Sequence, residues 1–409
     1  MPKINPLIAL DIGSGTIKAL AVHKPKKESE LEILGFCEEP SFGVRRGVVV
    51  DPQKVAELMR GSLIKLQDQL KQKVNSVYIN FGGSHLFSFP SRGLVSVSRA
   101  DGRISEEDIK RVLQQAETLS LPPNREVLEV FPKEFFINGE GGIKEPPLGL
   151  QGIRLEANVL VLGYFAPYFK NLTDSVLDSH LQIDDIIPSP LAAAAAVLSP
   201  AEKEMGVVLL DIGAGTVDLA VFEEGNLAHL AIFPFGSSNI TKDIAIFLRT
   251  DMDIAERIKI EFGTLVYQGS DKKERIKLAE DETLVFSHKK LSKVIEDRTS
   301  EMFGEINKEL KKIAKQNCLA ASVVLTGGGA KLPKIRDFAK KELKLPCRIG
   351  RPRGFSLAQD DPRLSVVCGL ALTAFEQETG KNNWAGSSPV FSGKGLGSRI
   401  KKIFKIFVP

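Results

Sequence analysis

The chain has 409 residues, 43% of them hydrophobic and 26% charged, with a formal net charge of +4. That length can bury a large core and predicts two or more domains, while the composition excludes disorder and the lack of an apolar run of about 20 residues excludes a bilayer-spanning helix. Cys37, Cys318, Cys347 and Cys368 are scattered, with no Cys-x-x-Cys spacing and no neighbouring histidines, which argues against a disulfide framework or a zinc site and predicts a reducing, cytoplasmic compartment.

Met1 leads almost directly into an apolar strand ending at Asp11, leaving no room for a signal peptide. The segment Leu10-Asp11-Ile12-Gly13-Ser14-Gly15-Thr16 precedes a second apolar run over 17–22. The pair is predicted as a hairpin whose glycine turn lets backbone approach a ligand closely. Residues 74–81 and 94–98 are predicted as strands, and Ser105 with Asp108 starts a helix as a capping box, running to about residue 119. Strands over 127–137 and 155–165 flank a Gly/Pro-rich loop over 139–152, and this block is predicted as a small inserted α+β module.

The first motif returns as Leu210-Asp211-Ile212-Gly213-Ala214-Gly215-Thr216, again between apolar runs, and this internal repeat predicts two similar halves. Helices follow over 254–262 and 291–313, then a short strand over 322–325, a turn at Gly327-Gly328-Gly329 and a helix over 332–344. Residues 380–397 are rich in Gly, Ser and Asn without periodicity, which predicts a flexible linker. The final segment, treated as a helix, aligns Ile400, Ile403, Phe404 and Phe407 on one stripe with Lys401, Lys402 and Lys405 opposite. That is the pattern of a helix lying in the headgroup region of anionic lipid. Residues 394–409 hold five basic residues and no acid, which leaves the rest of the chain at −1 against the total of +4. The basic charge therefore points to a local anionic partner and not to nucleic acid.

An aspartate at a strand end followed by Gly-x-Gly-Thr offers backbone N–H groups and a hydroxyl to phosphate, and the carboxylates of Asp11 and Asp211 can hold magnesium directly or through water. Two such hairpins facing each other can grip a polyphosphate from both sides. Gly327-Gly328-Gly329, after a strand and before a helix, can let a nucleotide lie against the backbone. Glu256 and Lys259 share one helical face and can contact ribose hydroxyls and the adenine edge, although such a pair taken singly reads as a solvated helical ion pair. For Lys18 a solvent-facing strand lysine is the alternative to a role in the cleft.

The order of these elements resembles the actin, sugar-kinase and heat-shock-chaperone ATPase superfamily. Within it the chain resembles the FtsA family over nearly its whole length, through Gly43-Val44-Arg45-Arg46-Gly47-Val48-Val49, the stretch from Glu145-Pro146 to Glu156, Ile187-Pro188-Ser189-Pro190-Leu191-Ala192 and Val294-Ile295-Glu296-Asp297-Arg298. The resemblance implies an α/β, actin-like two-lobed fold with duplicated ATPase halves around a nucleotide cleft, plus an inserted α+β (SHS2-type) subdomain. It places the first lobe at 1–82 and 166–196, the inserted subdomain at 83–165, and the second lobe at 197–236 and 311–379. A smaller subdomain at 237–310, a linker at 380–396 and a membrane-targeting helix at 397–409 complete the expected layout.

By the same resemblance Asp11, Gly13, Ser14, Gly15, Thr16 and Lys18 match the first phosphate motif, and Asp211, Gly213, Ala214, Gly215 and Thr216 the second. Gly236, Glu256, Lys259, Gly327, Gly328 and Gly329 match the nucleoside side of the cleft. ATP and magnesium are the implied cofactors, with Asp211 as the group that places metal and water; no dedicated base is evident, so slow turnover is expected. The implied role is an actin-like division protein that polymerises on the cytoplasmic face of the inner membrane at the division site, tethers the FtsZ ring there and recruits later division proteins. Its partners would be further copies of itself, anionic lipid, and the FtsZ C-terminal tail held near Lys293 and Arg298. A pilus or secretion scaffold and a small-molecule kinase of the same superfamily are the alternatives.

Overall fold

The computed structural model describes residues 6–378, apart from 26–29, 119–120, 278–282, 315–319 and 357–359. The expected linker (380–396) and tail helix (397–409) lie outside the described residues.

The first motif joins β1 (Leu7–Ile12) to β2 (Thr16–His23), paired antiparallel with Asp11 directly opposite Lys18. Both strands are buried along nearly their whole length, as central strands covered on both faces must be. β3 (Glu32–Pro40) extends this meander, and a miniature hairpin of β4 (Val44–Arg45) and β5 (Val48–Val49) follows. The helix α1 (Pro52–Leu70) starts where Asp51 accepts a hydrogen bond from Lys54 N at 3.2 Å and Pro52 fills the first turn. β6 (Ser76–Phe81) then returns parallel to β1.

The insertion is a four-stranded antiparallel sheet built from β7 (Phe87–Ser96), β8 (Arg125–Ile137), β9 (Glu140–Ile143) and β10 (Arg154–Phe165), in the order β7-β10-β8-β9. Its helix α2 (Glu106–Glu117) carries the capping box predicted at Ser105 and Asp108 and buries Ile109, Val112 and Leu113 against Phe135, Leu155 and Val159 in a core of its own. The module does not hang free of the second half. Ser88 Oγ donates to Leu230 O at 2.8 Å and accepts from Leu230 N at 3.1 Å.

After α3 (Ala166–Asp178), β11 (Gln182–Pro188) completes the first sheet, ordered β3-β2-β1-β6-β11. The helices α4 (Ser189–Val197) and α5 (Pro200–Met205) lead into the second half. There β12 (Val207–Ile212), β13 (Val217–Glu223) and β14 (Asn226–Phe233) repeat the meander. The helices α6 (Ser237–Leu248) and α7 (Met252–Phe262), the pair β15 (Lys273–Lys277) and β16 (Thr283–Ser287), and the long α8 (His288–Ala314) form the smaller subdomain. β17 (Ser322–Thr326), α9 (Ile335–Leu343) and β18 (Cys347–Ile349) finish a sheet ordered β14-β13-β12-β17-β18. Position by position this is the order and sense of the first sheet, so the internal repeat of seven residues marks a duplication of the whole half.

The last described helix, α10 (Ser365–Glu378), crosses back. Val367, Leu370, Ala371 and Ala374 are buried in one core with Leu10, Ala19 and Ile79 of the first sheet. It crosses α4 so closely that a Cβ on Gly369 would stand 1.7 Å from Ala192 O. The two halves are thus joined by a tightly packed pair of helices beneath the strand ends that carry the motifs.

Candidate functional site

The two glycine turns meet tip to tip. A Cβ on Gly15 would come within 2.8 Å of Ala214 Cβ, and one on Gly215 within 2.8 Å of Ser14 Oγ, so side chains at either position would prop the halves apart. Within each turn the amide of the first glycine closes a backbone bond, Gly13 N to Thr16 O at 3.1 Å and Gly213 N to Thr216 O at 2.9 Å. The second turn is also held from behind by the start of α6. Ser237 N donates to Gly213 O and Ser238 N to Ala214 O at 2.9 and 3.0 Å, and a Cβ on Gly236 would strike Ala214 O at 2.5 Å. With those carbonyls engaged, the turn is oriented to offer amides rather than oxygens to the gap.

Asp11 is anchored on both oxygens. Lys18 Nζ donates to Oδ2 at 3.1 Å and Asn80 Nδ2 to Oδ1 at 3.0 Å, while Asn80 also donates to Ser189 Oγ and accepts from Ile12 N. Lys18 is buried and ion-paired, which excludes the solvent-facing alternative. Asp211 makes no side-chain hydrogen bond among the described residues. Burial, then the neighbouring Asp11 carboxylate, push its carboxyl well above the ordinary range, with Lys18 opposing.

Asp218 was not singled out in the sequence. It stands on β13 directly opposite Asp211, is buried, and its Oδ1 has no hydrogen-bond partner. Burial and then Asp211 raise its carboxyl too. Its signal was in the repeat, because the register position that holds Lys18 in the first hairpin holds an acid in the second. With all four groups ionised, Asp11, Asp211 and Asp218 against Lys18 leave two uncompensated negative charges in a buried region. A divalent cation matches that deficit. Mg²⁺ is commonly held by one or two carboxylates with phosphate and water completing its shell, a role that the Asp211 carboxylate fits.

The residues expected on the nucleoside side divide between an ion pair and a glycine turn. Lys259 Nζ donates to Glu256 Oε2 at 2.6 Å, Thr241 Oγ1 at 2.9 Å and Ser237 O at 3.3 Å, and is itself buried. The solvated ion pair expected for Glu256 and Lys259 taken alone is therefore corrected: burial depresses the lysine pKa, Glu256 opposes it, and the pair ties α7 to the start of α6. In the triple-glycine turn, Gly327 has φ of 82° and a Cβ there would lie 2.1 Å from Asp211 Oδ1, while one on Gly329 would lie 2.3 Å from Ile212 Cγ2. Packing against β12 accounts for both. Gly328 alone is open, with nothing nearer than Arg363 Cγ at 3.8 Å.

Lys293 and Arg298 on α8 both find acids within the chain. Lys293 pairs with Asp297 at 2.8 Å in an exposed one-turn bridge, and Arg298 reaches Asp243 of α6 at 3.0 Å and Glu301 at 2.6 Å. Ile400, Lys401, Lys402, Ile403, Phe404, Lys405 and Phe407 lie outside the described residues. No helix among the described residues is long and apolar enough to cross a membrane.

Duplicated five-stranded halves meeting at two glycine hairpins, with crossing helices beneath, define an actin-like fold. Solved structures agree: a PilM-PilN type IV pilus biogenesis complex matches with a TM-score of 0.65 at 17% identity, over 91% of this chain and 98% of that one. MreB5 of Spiroplasma citri bound to ADP matches at 0.53 and 14%, over 93% and 99%. Sequence comparison narrows the class. A family model for cell division protein FtsA matches residues 208–369, and one for the SHS2 domain inserted in FtsA matches 83–162. Cell division protein FtsA of Pseudomonas aeruginosa is 32% identical over 91% of this chain and 90% of its own length, and that of Borreliella burgdorferi 30% over 98% of each. The chain belongs to the FtsA family: it is an actin-like cell-division protein, and a role at the division site follows from that membership.

Proposed function

We propose that the cleft binds Mg²⁺ and ATP and that the protein, as a filament, tethers the FtsZ ring to the membrane. The observation that carries the nucleotide reading is the meeting of the two turns over a buried excess of acid. Ser14, Gly15 and Thr16 from one side and Ala214, Gly215 and Thr216 from the other hold the phosphates. Lys18 offsets their charge and keeps Asp11 in place. Asp211 would hold the metal directly or through water, and Asp218, opposite it on β13, offers an unpartnered Oδ1 as a further acceptor. Glu256 and Lys259, with Gly236 and the open Gly328, receive the nucleoside. Bound Mg²⁺ neutralises the phosphate oxygens. In this reading turnover is slow and nucleotide acts as a conformational switch.

The lobes are taken at the limits the resemblance implies, 1–82 with 166–196 and 197–236 with 311–379; α10, in the second, is buried in a core shared with the first sheet. Membrane attachment rests on the amphipathic 397–409 segment. Each lysine near an anionic surface contributes about 1 kcal/mol, so a single tail is a reversible anchor and a polymer of tails a firm one. Lys293, exposed at one end of α8, is the better candidate for the acidic FtsZ tail, since Arg298 is committed to Asp243. Co-sedimentation with anionic vesicles tests the tether: the full chain pellets with lipid, more so with ATP and magnesium, and a chain ending at Gly393 does not. Equal pelleting of both chains would refute it.

A further inference from the structure

The miniature hairpin β4–β5 turns through Arg46 and Gly47, both at positive φ (51° and 73°), between the paired residues Arg45 and Val48. A two-residue turn of that shape favours Asn, Asp or Gly at its first position, because an ordinary side chain there is strained. An arginine breaks the rule. Strained residues that persist against local preference concentrate where a site needs them.

The surroundings say which site. Gly47 N donates to Ser14 Oγ at 2.8 Å, so the turn is bonded to the first phosphate hairpin. Arg46 N lies 3.1 Å from where a Cβ on Gly215 would be, so it also abuts the second. On its far side a Cβ on Gly47 would be 2.7 Å from Gly83 Cα, which leaves the turn no freedom to retreat. Arg46 is exposed, and its guanidinium has no ion pair or hydrogen bond among the described residues.

We infer that Arg46 contacts the terminal phosphate of a bound nucleoside triphosphate and makes the cleft distinguish triphosphate from diphosphate. This rests on the nucleotide reading above and adds to it a residue that neither glycine motif contains. The guanidinium offers a planar pair of donors to phosphate oxygens, a geometry that lysine cannot reproduce. Because Arg46 belongs to the first half and touches the second, its contact is made only when the halves are closed, so the same residue reports nucleotide state to the lobes.

The test is equilibrium binding of AMP-PNP and of ADP, each with magnesium, to the full chain. Arg46→Ala should weaken AMP-PNP about 10- to 100-fold, the range of a lost charge-assisted contact, and leave ADP within about twofold. Arg46→Gly should do the same while suiting the positive φ, so its melting temperature should not fall. Arg45→Ala should change neither ligand. Equal loss of both nucleotides in Arg46→Gly, or no loss of AMP-PNP in either variant, would overturn the inference. Failure of the unaltered chain to bind either nucleotide would instead overturn the nucleotide reading itself.

Discussion

Lys18 and Asp218 occupy the same register position in the two hairpins, each directly opposite its motif aspartate, Asp11 or Asp211. The duplication is thus symmetric in backbone and asymmetric in charge. In the first half the partner neutralises the aspartate; in the second it sets a second acid beside it. In the proposed site, a phosphate chain between the turns would meet a cation on one side and acids on the other.

That asymmetry gives a pH signature. Asp211 and Asp218 both have raised folded-state pKa values, so the stability they contribute is complete below the ordinary carboxyl value and is lost as pH rises towards neutrality and they ionise in place. The metal-free chain should melt at progressively lower temperature between about pH 4 and about pH 8. Asp218→Asn should flatten that fall, and magnesium with ATP should restore stability most at the alkaline end. A variant that keeps the full slope would show that Asp218 is not a source of it.

At the crossing of α4 and α10, Gly369→Ala forces a methyl towards Ala192 O. Overpacking at a helix crossing without slack costs about 3 kcal/mol, to be read as a loss in urea-unfolding free energy. Gly304→Ala, on α8 with open space around it, serves as the control and should be neutral or better.

Lys259→Ala removes three hydrogen bonds but leaves a half-exposed Glu256 that water can reach. The cost to folding should be modest, about 1–2 kcal/mol, whereas affinity for ATP should fall about tenfold and affinity for inorganic triphosphate should not change. Parallel titrations of the two ligands separate a nucleoside contact from a general loss of the cleft.

Arg298 and Lys293 should part company. Arg298→Ala cuts the tie between α8 and α6 and should lower stability by about 1–2 kcal/mol. Lys293→Ala gives up only an exposed one-turn bridge, so it should lower stability by no more than about 0.5 kcal/mol and should weaken binding of an FtsZ C-terminal tail peptide, measured by fluorescence anisotropy. Unchanged peptide binding would remove Lys293 from that surface.

Much of this was legible in the chain because it is written locally. The repeated Asp-x-Gly-x-Gly-Thr announced two equivalent hairpins, and strong strand periodicity with the Ser105–Asp108 cap announced the insertion. What was not legible depends on long-range pairing. Asn80 reaches Asp11 across 69 residues, and nothing near Asn80 in sequence hints at it. Lys259 looks exposed until α6 covers it. The α10 helix returns to the first sheet because its apolar residues pack on strands from near the start of the chain, a choice no local pattern encodes. Asp218 was visible in principle, had the repeat been read two residues past its threonine.

The central claim is that the facing turns form a magnesium-dependent nucleotide site, and a calorimetric titration of ATP into the full chain, with magnesium and then with EDTA, tests it most directly. The account predicts one saturable site that weakens at least about tenfold without magnesium. Absence of binding, or binding indifferent to magnesium, would contradict it.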